Sequence, residues 1–256
     1  MNQDANVFMF DLSRAELYWL AGAFGIVSLP LPDNASLRIS PVQQDSLQKD
    51  GHASLLTRGL LRPSPGFGWQ VERLPAALVQ WIASAPSLVR LERIARDGTT
   101  RRAHLFTSGE QGLFLKMDGD AAHFVIYKSL SFLREAALRW LSLPQKMKST
   151  AVKVQALPQP LIFLPAAWKD PQLAARILEE RGAKASKTTL NWVSKLEWAA
   201  ALSLVKLEGR RNSILRQFVL CGNENSAWGE DEEEATASFV PMTMRRIDVK
   251  IAEILK

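Results

Sequence analysis

Imidazole and thiol groups are scarce in this chain. Its three histidines are His52, His104 and His123, and its one cysteine is Cys221. None of the histidines falls in an HExxH or comparable ligand spacing, and no CxxC occurs, so no zinc site is assigned. His104 and His123 lie in strand-like runs and read as sheet residues. Cys221 ends the apolar run FVLCG and reads as a small buried hydrophobe, with no neighbouring cation to favour a thiolate. PSPGFGWQ (63–70) carries Gly-x-Gly, but no Lys-Ser/Thr follows and no strand leads through it into a helix. It reads as a turn or short hairpin. No GxSxG is present, so no nucleophile elbow is available. The acidic run EDEEE (230–234) is contiguous, whereas cation loops space their oxygens with glycine turns. It reads as a solvated loop between two strands. No catalytic residue, metal site or cofactor is therefore expected, and an enzyme would need a set of converging polar groups that the sequence does not display.

The remaining candidates are surfaces. The formal charge is +6 and the pI about 9.6, which permits nucleic acid, an anionic membrane or an acidic protein as partner without choosing among them. Arg90, Arg93 and Arg96 alternate on or near one strand, and Arg101 and Arg102 follow a turn. Arg210, Arg211 and Arg216 occupy a matching place later in the chain. Two such hairpins could track phosphates, with Arg93, Arg101, Arg102, Arg210 and Arg211 as contacts. A helix rich in Arg, Asn and Gln is missing, and no aromatics interleave with the arginines. A solvated sheet face fits better, and nucleic-acid binding stands as the alternative. Trp81, Trp140, Trp192 and Trp198 are placed on helices among apolar neighbours. Trp69 and Trp168 lie in Gly- or Pro-rich segments, where an exposed Trp suits a protein interface. With Phe67 they form the expected protein-binding set, beside the turns at 108–112 and 222–226.

The elements that would carry these residues follow from periodicity and punctuation. In the first half, helical spacing covers 45–59, ending at Gly59, and 74–86, ending at Pro86. Strand chemistry then covers 87–95, 101–106, 113–117 and 123–127, with turns at 97–100, 108–112 and 118–120. A helix closes at 129–141. In the second half, Asp170 caps and Pro171 begins a helix over 170–182, and a second helix covers 188–200. Strands follow at 201–209, 214–222 and 238–242, with turns at 210–213 and 223–226, and a helix closes at 243–255.

Both halves thus run helix, helix, several antiparallel strands, helix. SLVRLE (87–92) returns as SLVKLE (203–208), 116 residues later. Leu105–Phe106 fall on Val219–Leu220, Phe114 on Trp228, Phe124–Val125 on Phe239–Val240 and Trp81 on Trp198, at offsets of 114 to 117. That spacing is too long for a solenoid and indicates two copies of one α+β unit. The expected fold is α+β, a pseudo-two-fold duplicated unit with a central antiparallel sheet flanked by helices. The first copy with its leading helix occupies 1–144, a crossing linker 145–168 and the second copy 169–256, in one compact domain or in two joined by that linker. The linker contains PQPLIFLP and reads as an extended segment packed on the body.

Length and composition suit an ordinary globular chain: 256 residues, 47% hydrophobic and 23% charged. One cysteine excludes an internal disulfide. The opening MNQDANVFMFDLSRAEL lacks a basic segment before its apolar residues and does not read as a signal peptide. The longest apolar stretch, 157–168, is broken by three prolines and does not read as a membrane span. A cytoplasmic protein is expected.

The run LSRAELYWLAGAFGIVSLPLP (12–32) contains a capping box, Ser13-x-x-Glu16, with Leu17, Leu20, Ala21 and Phe24 on one helix side. Gly25 ends that helix before an extended LPLP. This opening resembles the start of the EspG family, the cytosolic chaperones of type VII secretion. SLLTRGLL (54–61) before PGFGW (65–69) is similar to a second family feature, and SFVPMTMRRIDVKIAEIL to the family's C-terminal end. The resemblance implies a pseudo-symmetric fold. It also implies a non-enzymatic protein that binds a small helical secretion substrate and shields its apolar tip. It carries over no contact residue.

Overall fold

The computed structural model describes residues 7–32, 41–66, 68–144, 147, 154–155, 160–180, 187–208, 211–231 and 238–255. Along the chain these form β1 (Val7–Ser13), α1 (Arg14–Ala23), α2 (Pro41–Thr57), β2 (Leu61–Ser64), β3 (Gly68–Val71), α3 (Arg73–Ser84), β4 (Ser87–Ala95), β5 (Thr100–Ser108), β6 (Gln111–Asp118), β7 (Ala121–Tyr127) and α4 (Leu130–Leu141). There follow β8 (Val154–Gln155), α5 (Pro160–Lys169), α6 (Pro171–Glu180), α7 (Lys187–Val193), β9 (Trp198–Glu208), β10 (Arg211–Gly222), β11 (Ala227–Asp231), β12 (Ser238–Pro241) and α8 (Met244–Ile254). The fold is α+β with antiparallel strand pairing, as the sequence predicts. The series helix, four strands, helix occurs twice, as α3–β4–β5–β6–β7–α4 and as α7–β9–β10–β11–β12–α8.

Two compact units are drawn from segments of both halves. One comprises Met1–Leu88, Ala103–Leu130 and Leu207–Arg211, the other Val89–Arg102, Ser131–Lys206 and Asn212–Lys256.

In the first unit the strand order is β1-β7-β6-β5. Leu105, Phe106, Leu113, Leu115 and Phe124 fill the sheet's buried positions. Helix α1 opens with the expected capping box: Ser13 Oγ accepts from Glu16 N at 3.1 Å, and Glu16 Oε2 accepts from Ser13 N at 2.7 Å. Glu16 has no exposed surface, yet its carboxylate is fully engaged. Ser54 Oγ donates to Oε1 at 2.7 Å and Arg58 Nη1 to Oε2 at 2.6 Å, both from α2. Arg58 Nη2 also donates to the Asp11 carbonyl at 2.9 Å. One buried charge therefore joins β1, α1 and α2. On the same face of α2 the two helices meet at Gly51, where an added Cβ would collide with the Ala15 carbonyl. Both helices end on a left-handed glycine, Gly25 (φ 66°) and Gly59 (φ 68°). In each case the amide one residue on reaches back five, Ile26 to Ala21 at 2.8 Å and Leu60 to Leu55 at 2.9 Å, as in a Schellman cap.

In the second unit the order is β4-β9-β10-β11-β12-β8. Its core gathers Phe163, Leu164, Leu178, Trp192, Val219, Trp228 and Phe239 from α5, α6, α7 and the strands. Asp170 Oδ1 accepts from Gln172 N at 2.9 Å and Leu173 N at 3.2 Å, which confirms the expected cap of α6.

Four sequence readings change. PLIFLP is helix, not extended chain: Pro160 occupies the first turn, where a missing N–H is harmless, and burial of Phe163, Leu164 and Ala167 outweighs Pro165. The helix read over 188–200 stops at Val193, because Trp198–Leu202 are buried on both faces of a strand. Trp198 is thus a strand residue and does not match Trp81 on α3 in kind. Three strands, β1, β8 and β11, were not read from the sequence, and β11 takes in Glu230 and Asp231 of the acidic run.

Replacing Glu16 by Ala leaves Arg58 and Ser54 without their acceptor and should cost about 3 kcal/mol, read from the urea midpoint. Gly51→Val should cost about 1–3 kcal/mol by forcing α1 and α2 apart, measured the same way.

Candidate protein-binding surface

The arginines that suggested a phosphate track are largely spent inside the second unit. Arg93 lies over the Trp198 indole at 5.0 Å, and its Nη1 donates to the Leu141 carbonyl at 2.7 Å. Burial, and then the charge of Arg101, pull its pKa below the ordinary guanidinium value. Arg101 sits over Trp140 at 5.2 Å and donates to Ser142 Oγ at 3.4 Å. Arg96 Nη1 donates to the Ser194 carbonyl at 3.0 Å. Arg93 and Arg96 therefore supply cations to the C-terminal ends of α4 and α7, where the helix dipole favours them. Arg102 is paired with Glu92 at 2.8 Å. Arg210 lies outside the described residues, and Arg211 opens β10.

His104 and His123 lie in strands β5 and β7, as read. His104 Nδ1 donates to the Pro30 carbonyl at 2.8 Å, and His123 Nδ1 lies 2.7 Å from Asp11 Oδ1. Burial pushes the Cys221 thiol well above its usual range, which disfavours the thiolate. Among the described residues no group of three or more His, Cys, Asp or Glu is arranged to hold a metal.

Of the aromatic residues singled out, Phe67 lies outside the described residues. Trp69 is 45% exposed on β3, at the register position opposite Pro63. It packs edge-on against His52 at 4.6 Å, and the Trp19 ring lies 5.7 Å from that imidazole. Trp168 does not stand free: it is half-buried against the core of the second unit, its Nε1 buried with no hydrogen-bond partner among the described residues.

Two apolar surfaces of the second unit escaped the sequence reading. Residues 212–217 of β10 are all exposed, so the adjacent Ile214 and Leu215 stand out on opposite faces at 51% and 55%. On α5, Ile162 is 70% exposed on a helix whose only charge is Lys169. A helix apolar on all sides is normally covered on all sides. That run of apolar residues was the available signal, hidden by its prolines. These side chains carry no chemistry, and their exposure suits burial by another protein.

A solved chaperone shares this architecture. The chain is similar to the Mycobacterium tuberculosis type VII secretion system chaperone EspG5, solved in complex with the PE25–PPE41 dimer, at a TM-score of 0.60 and 12% sequence identity, over 97% of this chain and 96% of that one. The likeness is one of fold. No protein-family model and no curated protein matches the sequence. No helix of the described residues is long and apolar enough to cross a membrane.

Cys221 should resist a thiol reagent in the native protein and react only once the chain unfolds, followed by mass shift against urea. Trp192→Ala should cost about 3–5 kcal/mol through the cavity it leaves, whereas Trp69→Ser should change stability by less than about 1 kcal/mol.

Proposed function

We propose that this protein is a non-enzymatic chaperone or adaptor that binds a small helical secretion substrate in the cytosol and covers its apolar tip. The observation that carries the reading is the exposure of Ile162, Ile214 and Leu215 on well-formed elements of a fold shared with a secretion chaperone. A partner with an apolar helical surface would remove these side chains from water, and each large apolar group so buried contributes about 1.5–3 kcal/mol. Trp69 on β3 offers a second contact, with Phe67 proposed alongside it, and Trp168 of α5 contributes its half-buried ring. The two copies of the repeat are proposed to have diverged, one half-chain keeping a surface that the other has lost.

Purification of the tagged protein from its native cytosol, with and without nuclease, tests this. A small helical protein should be retained after nuclease. Ile214→Asp with Leu215→Asp should weaken its binding at least tenfold, while salt should affect binding little. Partners that vanish with nuclease, and binding that falls steeply with salt and is lost in the Arg101→Ala, Arg102→Ala variant, would instead establish the nucleic-acid alternative.

A further inference from the structure

The first strand carries a second kind of surface. β1 is the end strand of its sheet, paired with β7 through seven consecutive positions without a bulge. Edge strands are usually blunted by lysine, proline, bulges or short length. Val7–Phe10 has none of these devices, and Val7, Phe8 and Met9 are 38%, 49% and 73% exposed.

Two hydrogen bonds fix which backbone groups face outward. The Asp11 carbonyl accepts from Arg58, and the Ser13 amide donates to Glu16, so neither group is spent on β7. In an antiparallel ladder these orientations alternate. The odd positions therefore direct their amides and carbonyls away from β7. Asp11 and Ser13 are satisfied within the chain. Val7 and Met9 have no strand on that side among the described residues.

We infer that β1 pairs with β1 of a second copy of this chain, antiparallel about a two-fold axis at Phe8. The register follows from the pattern of outward groups. Centred on Phe8, Val7 of each copy faces Met9 of the other, both pairs exchange backbone hydrogen bonds, and Phe8 meets Phe8 as an aromatic cross-strand pair. Centred on Met9, the same strands would set Val7 against Asp11, whose carbonyl Arg58 already holds. The Phe8 register places no charge opposite another. The pairing is isologous and uses up the β1 edge of each copy, so it closes at a dimer rather than growing.

In the Phe8 register the two Phe8 residues form a non-hydrogen-bonded pair, whose Cα atoms lie about 4.5 Å apart, within disulfide reach. Phe8→Cys should therefore become a covalent dimer when diamide oxidises the two thiols to a disulfide. Met9→Cys should form no covalent dimer under the same treatment, and buried Cys221 should not interfere. Wild-type protein should run as a dimer in light scattering, and Phe8→Lys, which sets two ammonium groups face to face, as a folded monomer that has lost the concentration dependence of the wild-type melting temperature. A monomeric wild type at the highest soluble concentration would overturn the pairing. So would a wild-type dimer whose Phe8→Cys variant fails to cross-link, or a Met9→Cys variant that cross-links as readily.

Discussion

A carboxylate without exposed surface has to be matched atom by atom, and in the first unit that requirement organises everything near it. Glu16 is held by the Ser13 backbone amide at the end of β1 and by a serine hydroxyl and a guanidinium from the α2 stretch. Removing a charge from water is unfavourable unless such partners are in place. The arrangement therefore specifies the entry angle of α1, the seat of α2 against it and the orientation of β1 in its sheet. Arg58 extends the constraint, since the same guanidinium that neutralises Glu16 also takes the Asp11 carbonyl and lies 5.6 Å from the Phe10 ring centroid. The outward backbone groups of β1 are a consequence of this network.

The second unit uses the opposite charge for a comparable purpose. Helices α4 and α7 end without a left-handed glycine, and their terminal carbonyls are met by Arg93 and Arg96 from β4 and the turn after it. Arg93 and Arg101 also lie over tryptophan rings, so their stems and planes contribute packing as well as charge. A basic hairpin in sequence is in this case a set of internal caps. The side chains left facing water on the same unit include apolar ones, on β10 and α5, and these suit a protein partner better than a phosphate backbone.

Much of this plan was legible because local signals and tertiary context agree. The capping box at Ser13, the glycines at 25 and 59 and the Asp170–Pro171 helix start were each readable from a few residues and are present. Strands β4 to β7 were readable because their turns are marked by Asp-Gly and Ser-Gly. Where the sequence misled, a long-range term decided the outcome. Prolines at 160 and 165 argue against a helix until burial of Phe163 and Leu164 is counted. The helical spacing of Leu190, Val193 and Leu196 runs on toward Trp198, but the sheet claims the apolar run that follows. β1 has no strand alternation in burial over Val7–Met9, because both of its faces are exposed there. The surface offered by Ile214 and Leu215 was invisible for a related reason: adjacent apolar residues on a strand read as core unless it is known that both faces of that stretch are exposed.

Hydrogen–deuterium exchange of the protein with and without its co-purified helical partner tests the central claim most directly. The account predicts slowed exchange over 160–169 and 212–217 in the complex, with little change across the arginine-capped ends of α4 and α7. Unaltered exchange in both segments, or protection confined to the arginine hairpins and abolished by nuclease, would contradict it.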